Sequence, residues 1–312
     1  MRLFNRKAPF TKRIEIEPPQ AGADRSGVAI ATVLRDEEHY IAEWASFHRA
    51  VGVRHFFIYD DGSTDHTLAI LRDLLPREEL TILPWRFGMR DVRMGLPLNR
   101  QVLAFAHAIL NFGADFRWMS FIDVDEFILP KTGRTIEEAL AGANGFPNIS
   151  LPWHMFGTSG HKTRPAGPVT RSYTLRAADP MSRLENAMNF KCIVDPCAVS
   201  EVSVHHFHTR EFGDRTANDV GQVVPLDKRK SPGFYSARHL QLNHYYTRSE
   251  EEFARKIERG GVSPTLWEKR KTRLTIALES IEKDQAEDLA MIQFLDSTQF
   301  DSENAGVRER DA

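Results

Sequence analysis

Val28-Ala-Ile-Ala-Thr-Val-Leu34 runs into Arg35-Asp-Glu-Glu38, and His55-Phe-Phe-Ile-Tyr59 runs into Asp60-Asp-Gly-Ser-Thr-Asp65. Twice, a short apolar run rich in β-branched or aromatic residues ends in an acidic cluster. Runs of this kind mark strands buried on both faces. Between them Tyr40, Ile41, Trp44, Phe47 and His48 recur at helical spacing, and Gly52 ends that helix. A second helix follows Asp65 through Leu75, and residues 80–83 form a third strand. A loop rich in Arg, Gly and Pro (85–97) precedes a helix over 98–112. Trp118-Met-Ser-Phe-Ile122 then makes a fourth strand. Strands and helices alternate with connections too long for hairpins. The fold class is therefore α/β, a mostly parallel sheet with helices on both faces.

The whole chain agrees with that class. Its 312 residues, 41% hydrophobic and 10% aromatic, suffice for one large α/β domain or two smaller ones and exclude disorder. Lys and Arg number 41 against 43 Asp and Glu, a formal charge of −2, which argues against a nucleic-acid partner. No stretch offers the roughly 18 uninterrupted apolar residues of a membrane helix. The basic N-terminus lacks the apolar core of a secretory signal. Cys192 and Cys197 are too few for a disulfide framework or a four-cysteine zinc site, and read as thiols of a reducing compartment. A cytoplasmic protein is expected.

Residues 1–27, with Pro18-Pro19 and no apolar period, read as a flexible leader. Residues 28–130 form the strand–helix half. Residues 131–260 carry short β-like runs at 149–153, 169–175, 189–194, 202–207 and 239–245, a mixed β half. Helices are expected over 249–259, where Ser249 and Glu252 form a capping box, and over 264–283. Residues 261–312 thus hold a C-terminal helix and a loose tail. The basic run at 267–273 reads as a solvated helix face, with anionic membrane lipid as the alternative.

In open sheets of this kind, ligands bind at the carboxyl ends of the strands. Three acidic clusters follow those ends: Arg35-Asp-Glu37, Asp60-Asp61 and Asp123-Val-Asp125-Glu126. Such charges repel unless a cation offsets them, and hard oxygen ligands suit Mg²⁺ or Mn²⁺. D-x-D alone is a cheap pattern. Here it ends the apolar Phe121-Ile122, and in an extended segment Asp123 and Asp125 point the same way while Val124 packs behind. In Asp60-Asp-Gly-Ser-Thr-Asp65, Gly62 permits a tight turn and Thr64 and Asp65 serve the next helix, leaving Asp60 or Asp61 to face a ligand.

Beyond these readings, the sequence resembles the family-2-like and family-92-like glycosyltransferases. The resemblance is carried by Thr32-Val-Leu-Arg-Asp-Glu-Glu38, Glu43-Trp44, Phe57-Ile-Tyr-Asp-Asp-Gly-Ser-Thr-Asp65 and Phe121-Ile-Asp-Val-Asp-Glu-Phe-Ile128. It continues in Trp153, Phe156-Gly-Thr-Ser-Gly-His161, Lys191-Cys-Ile-Val194, His205, Asn243-His-Tyr-Tyr246 and Lys256. It implies a GT-A fold over 28–260, a nucleotide-sugar half joined to an acceptor half, a nucleotide-sugar donor, and Mn²⁺ or Mg²⁺. Asp123 and Asp125 match its metal and diphosphate motif. Asp60 and Asp61 match its nucleoside-contacting turn, and Arg35 and Glu37 lie where the first strand meets the nucleotide. The family often has Asn where this chain has Asp36.

The resemblance also implies a late histidine in the metal shell, His244 or His205. His206 and His208 read as surface residues. Lys191 opens a strand and is expected to meet a phosphate as a point charge, or to be a solvated edge lysine. Gln101 reaches the same cleft. For the base that takes the acceptor proton, the candidates are Glu185, Asp179 and Glu126, the last either acting directly or orienting the metal motif. The expected activity is hexosyltransferase-like: transfer from a UDP-linked donor to a glycan or glycolipid hydroxyl, with inversion, in surface polysaccharide or lipopolysaccharide synthesis. Membrane contact is at most peripheral, at the inner face. The rivals are a sugar-nucleotide nucleotidyltransferase and a catalytically silent nucleotide- or sugar-binding protein.

Overall fold

A computed structural model describes residues 11–182, 188–258 and 264–300. Its elements in chain order are β1 (Ile14–Glu15), β2 (Val28–Leu34), α1 (Ile41–Ala50), β3 (Val53–Asp60), α2 (Thr67–Leu74), β4 (Leu80–Pro84), α3 (Arg100–Phe112), β5 (Trp118–Ser120) and β6 (Glu126–Pro130). There follow α4 (Ile136–Leu140), β7 (Asn148–Met155), α5 (Val169–Ser172), β8 (Leu175–Ala177), β9 (Phe190–Val194), β10 (Val199–Val202), β11 (Phe207–Thr209), β12 (Thr216–Ala217) and β13 (Val223–Val224). The last are β14 (Leu240–His244), α6 (Glu250–Glu258), α7 (Pro264–Lys283), β15 (Gln285–Glu287) and α8 (Ala290–Thr298).

The main sheet runs β13-β12-β7-β9-β5-β2-β3-β4, and β14 joins β7 to β6. Its β5-β2-β3-β4 stretch is parallel, as the alternating pattern requires, and the antiparallel β9 joins it to β7. Both faces of β2 are buried, and successive side chains go to opposite cores. Val28 and Ile30 pack with Trp44 and Phe47 of α1, while Ala29 and Ala31 pack with Phe105 and Ile109 of α3. Small residues on the second face let α3 lie close. Such two-sided burial explains why an apolar run, and not an alternating one, announced the strand.

Register positions the loops that matter. Leu34 pairs with Asp60, and Asp60 with Pro84, so the carboxyl ends of β2, β3 and β4 stand level. On the other half, His244 of β14 lies opposite Glu126 of β6 and beside Met155 of β7. Trp44, with no exposed surface, donates its indole N–H to the Glu126 carbonyl at 3.0 Å and ties α1 to the acidic turn.

Several expectations need correction. Residues 11–27 are anchored, not loose. β1 pairs with β10, Pro18 is buried, and Arg25 donates to both carboxylate oxygens of Asp195. Residues 169–175 form the short α5 and then β8, not one strand, because Glu43 accepts hydrogen bonds from Val169 N–H and Thr170 N–H at the helix start. The run 202–207 is the turn of the β10–β11 hairpin. At the C-terminus, α8 buries Met291 and Leu295 against the main core, so the tail is fixed at least through that helix. The side chains of 267–270 and 273, which bear on the basic run, lie outside the described residues, as do residues 1–10 and 301–312. Both cysteines are free thiols. No helix among the described residues is long and apolar enough to cross a membrane.

Candidate active site

Three loops meet at the carboxyl edge of the parallel strands. Asp61 N–H donates to the Leu34 carbonyl at 2.9 Å, which joins the β2 and β3 loops. Asp36 has φ +54°, the left-handed region that Asn and Asp tolerate better than other side-chain-bearing residues. Its Oδ1 accepts from Thr64 N–H at 2.7 Å and from the Thr64 hydroxyl, while its own N–H donates to Ser63 Oγ at 3.1 Å. The geometry is one that Asp and Asn both satisfy. The position asks for a short side chain at positive φ that accepts from the next turn, and Asp satisfies both demands. Ser63 and Thr64 serve this contact, and Asp65 Oδ1 alone among the cluster receives Thr67 N–H at the start of α2.

Asp60 is nearly buried and accepts Ser63 N–H at 2.9 Å, so it shapes the turn. Asp61 is the more open of the pair and binds Arg100 at the start of α3. Glu37 lies 3.3 Å from Arg248, whose guanidinium stacks 3.4 Å over the Tyr40 ring. Arg35 is half-exposed and donates to Asp36.

The Asp123-Val-Asp125 segment is a turn, not an extended strand end: Glu126 N–H donates back to the Asp123 carbonyl at 3.0 Å. Val124 does pack inward. The two carboxylates, however, meet different partners. Asp123 accepts from Gln101 Nε2 and from Lys191 Nζ, both at 2.9 Å. Asp125 accepts from Lys256 Nζ at 3.2 Å through Oδ2, and its Oδ1 lies 3.4 Å from His244 Nε2. Gln101 thus holds the first carboxylate of the motif.

Lys191 is 1% exposed, which excludes the solvated-edge reading. Burial alone would lower its pKa, but Asp123 and Glu126 outweigh that and keep it charged. Glu126 has no exposed surface. Its Oε2 accepts Asp123 N–H at 2.7 Å and lies 3.4 Å from Lys191. Burial, reinforced by Asp123 and Asp125, pushes its carboxyl pKa up against the pull of Lys191. An enclosed carboxylate bonded to the motif's own backbone orients that motif and has no path to an acceptor hydroxyl. For Asp125, burial works toward a raised pKa, yet Lys256 and His244 hold it well below the ordinary carboxylate range.

Asp125 and His244 adjoin, and the Trp153 ring lies 4.5 Å from His244 and 5.4 Å from His205 between ring centroids, while the charges of Lys191 and Asp123 act on His205. His205 Nδ1 donates to the Phe190 carbonyl at 3.1 Å. Asp179 accepts Met181 N–H at 2.8 Å, a local turn contact. Glu185 lies outside the described residues.

Three basic residues of the cleft, Arg248, Arg255 and Lys256, carry no role in the sequence reading. With Asp36, Glu37, Tyr40, Asp125 and Tyr246 they line one cavity. Lys256 stood within the matched segment, so a signal existed. Arg248 carried none, because its partner Glu37 is 211 residues away.

A Mn²⁺ or Mg²⁺ ion can be tested against these groups. Two ligands with bonds of about 2.1 Å to one ion stand about 3 Å apart, close to the 3.4 Å between Asp125 Oδ1 and His244 Nε2. Glu126 Oε1 and His244 Nδ1, 3.9 Å apart, are buried and have no hydrogen-bond partner. The separation of Asp125 and His244 fits such an ion.

A family model for glycosyltransferase family 92 matches residues 24–274. The chain belongs to glycosyltransferase family 92. A family 92 protein of Ricinus communis is 30% identical over 254 residues, covering 78% of this chain and 39% of that protein. One of Oryza sativa subsp. japonica is 31% identical over 206 residues, covering 64% of this chain and 32% of that protein. The chain thus spans about two fifths or less of these relatives. Among solved structures, S. aureus TarS 1-349 in complex with UDP-GlcNAc is similar at 15% identity with a TM-score of 0.39, over 87% of this chain and 71% of that one. In this family 92 chain the matched region takes in every acidic loop of the cleft and both Arg248 and Lys256.

Proposed function

We propose that this chain is a metal-dependent glycosyltransferase that moves a sugar, with inversion, from a UDP-linked nucleotide sugar to a glycan or glycolipid hydroxyl. The observation that carries the reading is the cleft in which Asp125 faces His244 and Lys256 at the carboxyl edge of the sheet. Family membership and the nucleotide-binding position of that edge support it. Asp125 and His244 would hold Mn²⁺ or Mg²⁺, with the donor's phosphates completing the shell. When bound, the ion supplies charge stabilisation to the departing diphosphate.

The chain's own residues divide the remaining work. Lys256 and Arg248 offer cationic groups to the diphosphate across the cavity. Gln101 and Lys191 fix Asp123, and Glu126 fixes the turn that carries it. Asp61, more open than Asp60, is the carboxylate suited to the nucleoside. The acceptor's place in surface polysaccharide or lipopolysaccharide synthesis, at the inner membrane face, belongs to the same proposal and follows the family resemblance.

Asp125→Ala tests the metal assignment. Mn²⁺-dependent affinity for the nucleotide-sugar donor should vanish while the fold, read by circular dichroism, stays intact. Donor affinity unchanged in the presence of Mn²⁺ would remove Asp125 from the metal site.

A further inference from the structure

On one face of the small sheet β1-β10-β11 three ligand-type side chains converge. Glu201 of β10 is the direct cross-strand partner of His208 in β11, and His206 precedes His208 by two residues. Cross-strand pairing and the two-residue period put all three on one face. One ligand atom from each lies within 4.8 Å of the other two. Glu201 Oε1, His206 Nε2 and His208 Nε2 are all shielded from solvent, and none has a hydrogen-bond partner. One orphaned buried polar atom is uncommon, and three aimed at one point call for a shared ligand.

We infer that Glu201, His206 and His208 form a binding site for a divalent transition-metal ion, Zn²⁺ foremost. Two imidazoles and a carboxylate are a borderline nitrogen–oxygen donor set, which Zn²⁺ takes and Mg²⁺ and Ca²⁺ do not prefer. Two ligands about 2.1 Å from a tetrahedral ion stand about 3.4 Å apart, and His208 Nε2 lies 3.5 Å from Glu201 Oε1. Three further charges adjoin the cluster, the first being the buried Arg229, whose guanidinium acts on His206 and which a bound ion would have to outweigh. Arg13 Nη1 is 3.4 Å from Glu201 Oε1, but its side chain is half-exposed and can swing out to solvent. Glu15 pairs across β1 and β10 with Glu201, which sets a second carboxylate on the same row of the sheet. The ion would clip the hairpin closed. Since His205 in that hairpin's turn packs against Trp153 of β7, the clip also steadies that part of the mixed β half.

Untagged full chain titrated with Zn²⁺ in saturating Mg²⁺ tests the site, with Mg²⁺ present to occupy the oxygen-rich cleft. We expect one Zn²⁺ per chain, a melting temperature that rises with Zn²⁺ concentration, and a Co²⁺-substituted spectrum of four-coordinate intensity. His206→Ala and Glu201→Gln should each weaken binding at least tenfold, with Asp125→Asn at wild-type affinity. Should the alanine variant misfold, Glu201→Gln keeps the volume and still removes a charged ligand. Equal Zn²⁺ affinity in wild type, His206→Ala and Glu201→Gln would overturn the site. So would loss of binding in Asp125→Asn alone, or no Zn²⁺ binding at all, which would leave a Glu201–His208 ion pair.

Discussion

Lys191 shows how a buried residue can matter to a site through the carboxylates it holds. It is enclosed between Asp123 and Glu126, and its charge is what lets two acidic groups share so little space. Replacing it with Met leaves those carboxylates without their cation. Breaking a buried pair from one side costs about 3–5 kcal/mol. We expect the lower end, because Asp123 retains Gln101 and the raised pKa of Glu126 lets it take up a proton. Chemical denaturation of Lys191→Met should show a loss of about 3 kcal/mol, and Lys191→Met with Glu126→Gln should recover part of it. Additive losses in the double variant would mean that the two residues do not interact. Asp36 carries the complementary lesson: its carboxylate holds a turn, so a residue at the cleft can answer to backbone geometry.

Element-scale features divide by the distance over which they are determined. β2 and β3 were legible because each is buried on both faces, and local apolar runs record that. The capping box at α6 was legible too: Ser249 N–H donates to Glu252 Oε2 at 3.2 Å, and Glu252 N–H donates back to Ser249 Oγ at 3.4 Å. β1 was not, since two residues carry no period and their anchor is Val202 and Glu201 far along the chain. Asp123 and Asp125 were found as residues, but their shared orientation was not. Glu126 N–H closes a turn there, and a turn does not share the alternation of an extended strand. His48 offers an element-scale prediction. Its Nδ1–H donates to the Trp44 carbonyl at 2.8 Å, and its Nε2 accepts Ile128 N–H, so the neutral ring bolts α1 to β6. Burial pushes its pKa down to about 3. Below about pH 6.5 the unfolded chain binds a proton that the folded ring refuses, so stability is full above that pH and is lost as pH falls toward about 3. Between pH 7 and pH 5 this ring contributes a loss of about 2 kcal/mol. In urea denaturation, His48→Gln should reduce the pH-dependent loss by that amount, whatever it costs at pH 7. An unchanged pH dependence would show that His48 titrates normally.

Across the whole molecule, two halves built by different rules meet at one line of charge. The parallel half brings Glu37, Asp61, Asp123 and Asp125 to its carboxyl edge. The mixed half and α6 bring Lys191, Arg248 and Lys256 against them, and α3 adds Arg100. The acidic clusters alone suggested a metal as the counter-charge. The folded chain supplies four basic side chains as well, gathered from positions up to 211 residues away. A cleft with both signs of charge suits a ligand that brings anionic phosphates and a cation together, which is the proposed donor complex. The single most direct measurement is a donor panel: purified chain, Mn²⁺, and individual UDP-, GDP- and CDP-sugars, followed for release of free nucleotide. Metal-dependent release from a UDP-sugar, abolished by chelation and by Asp125→Ala, is the predicted result. Silence across the panel, with no thermal shift from any nucleotide, would contradict a working transferase and leave a chain that has kept the family's fold without its chemistry.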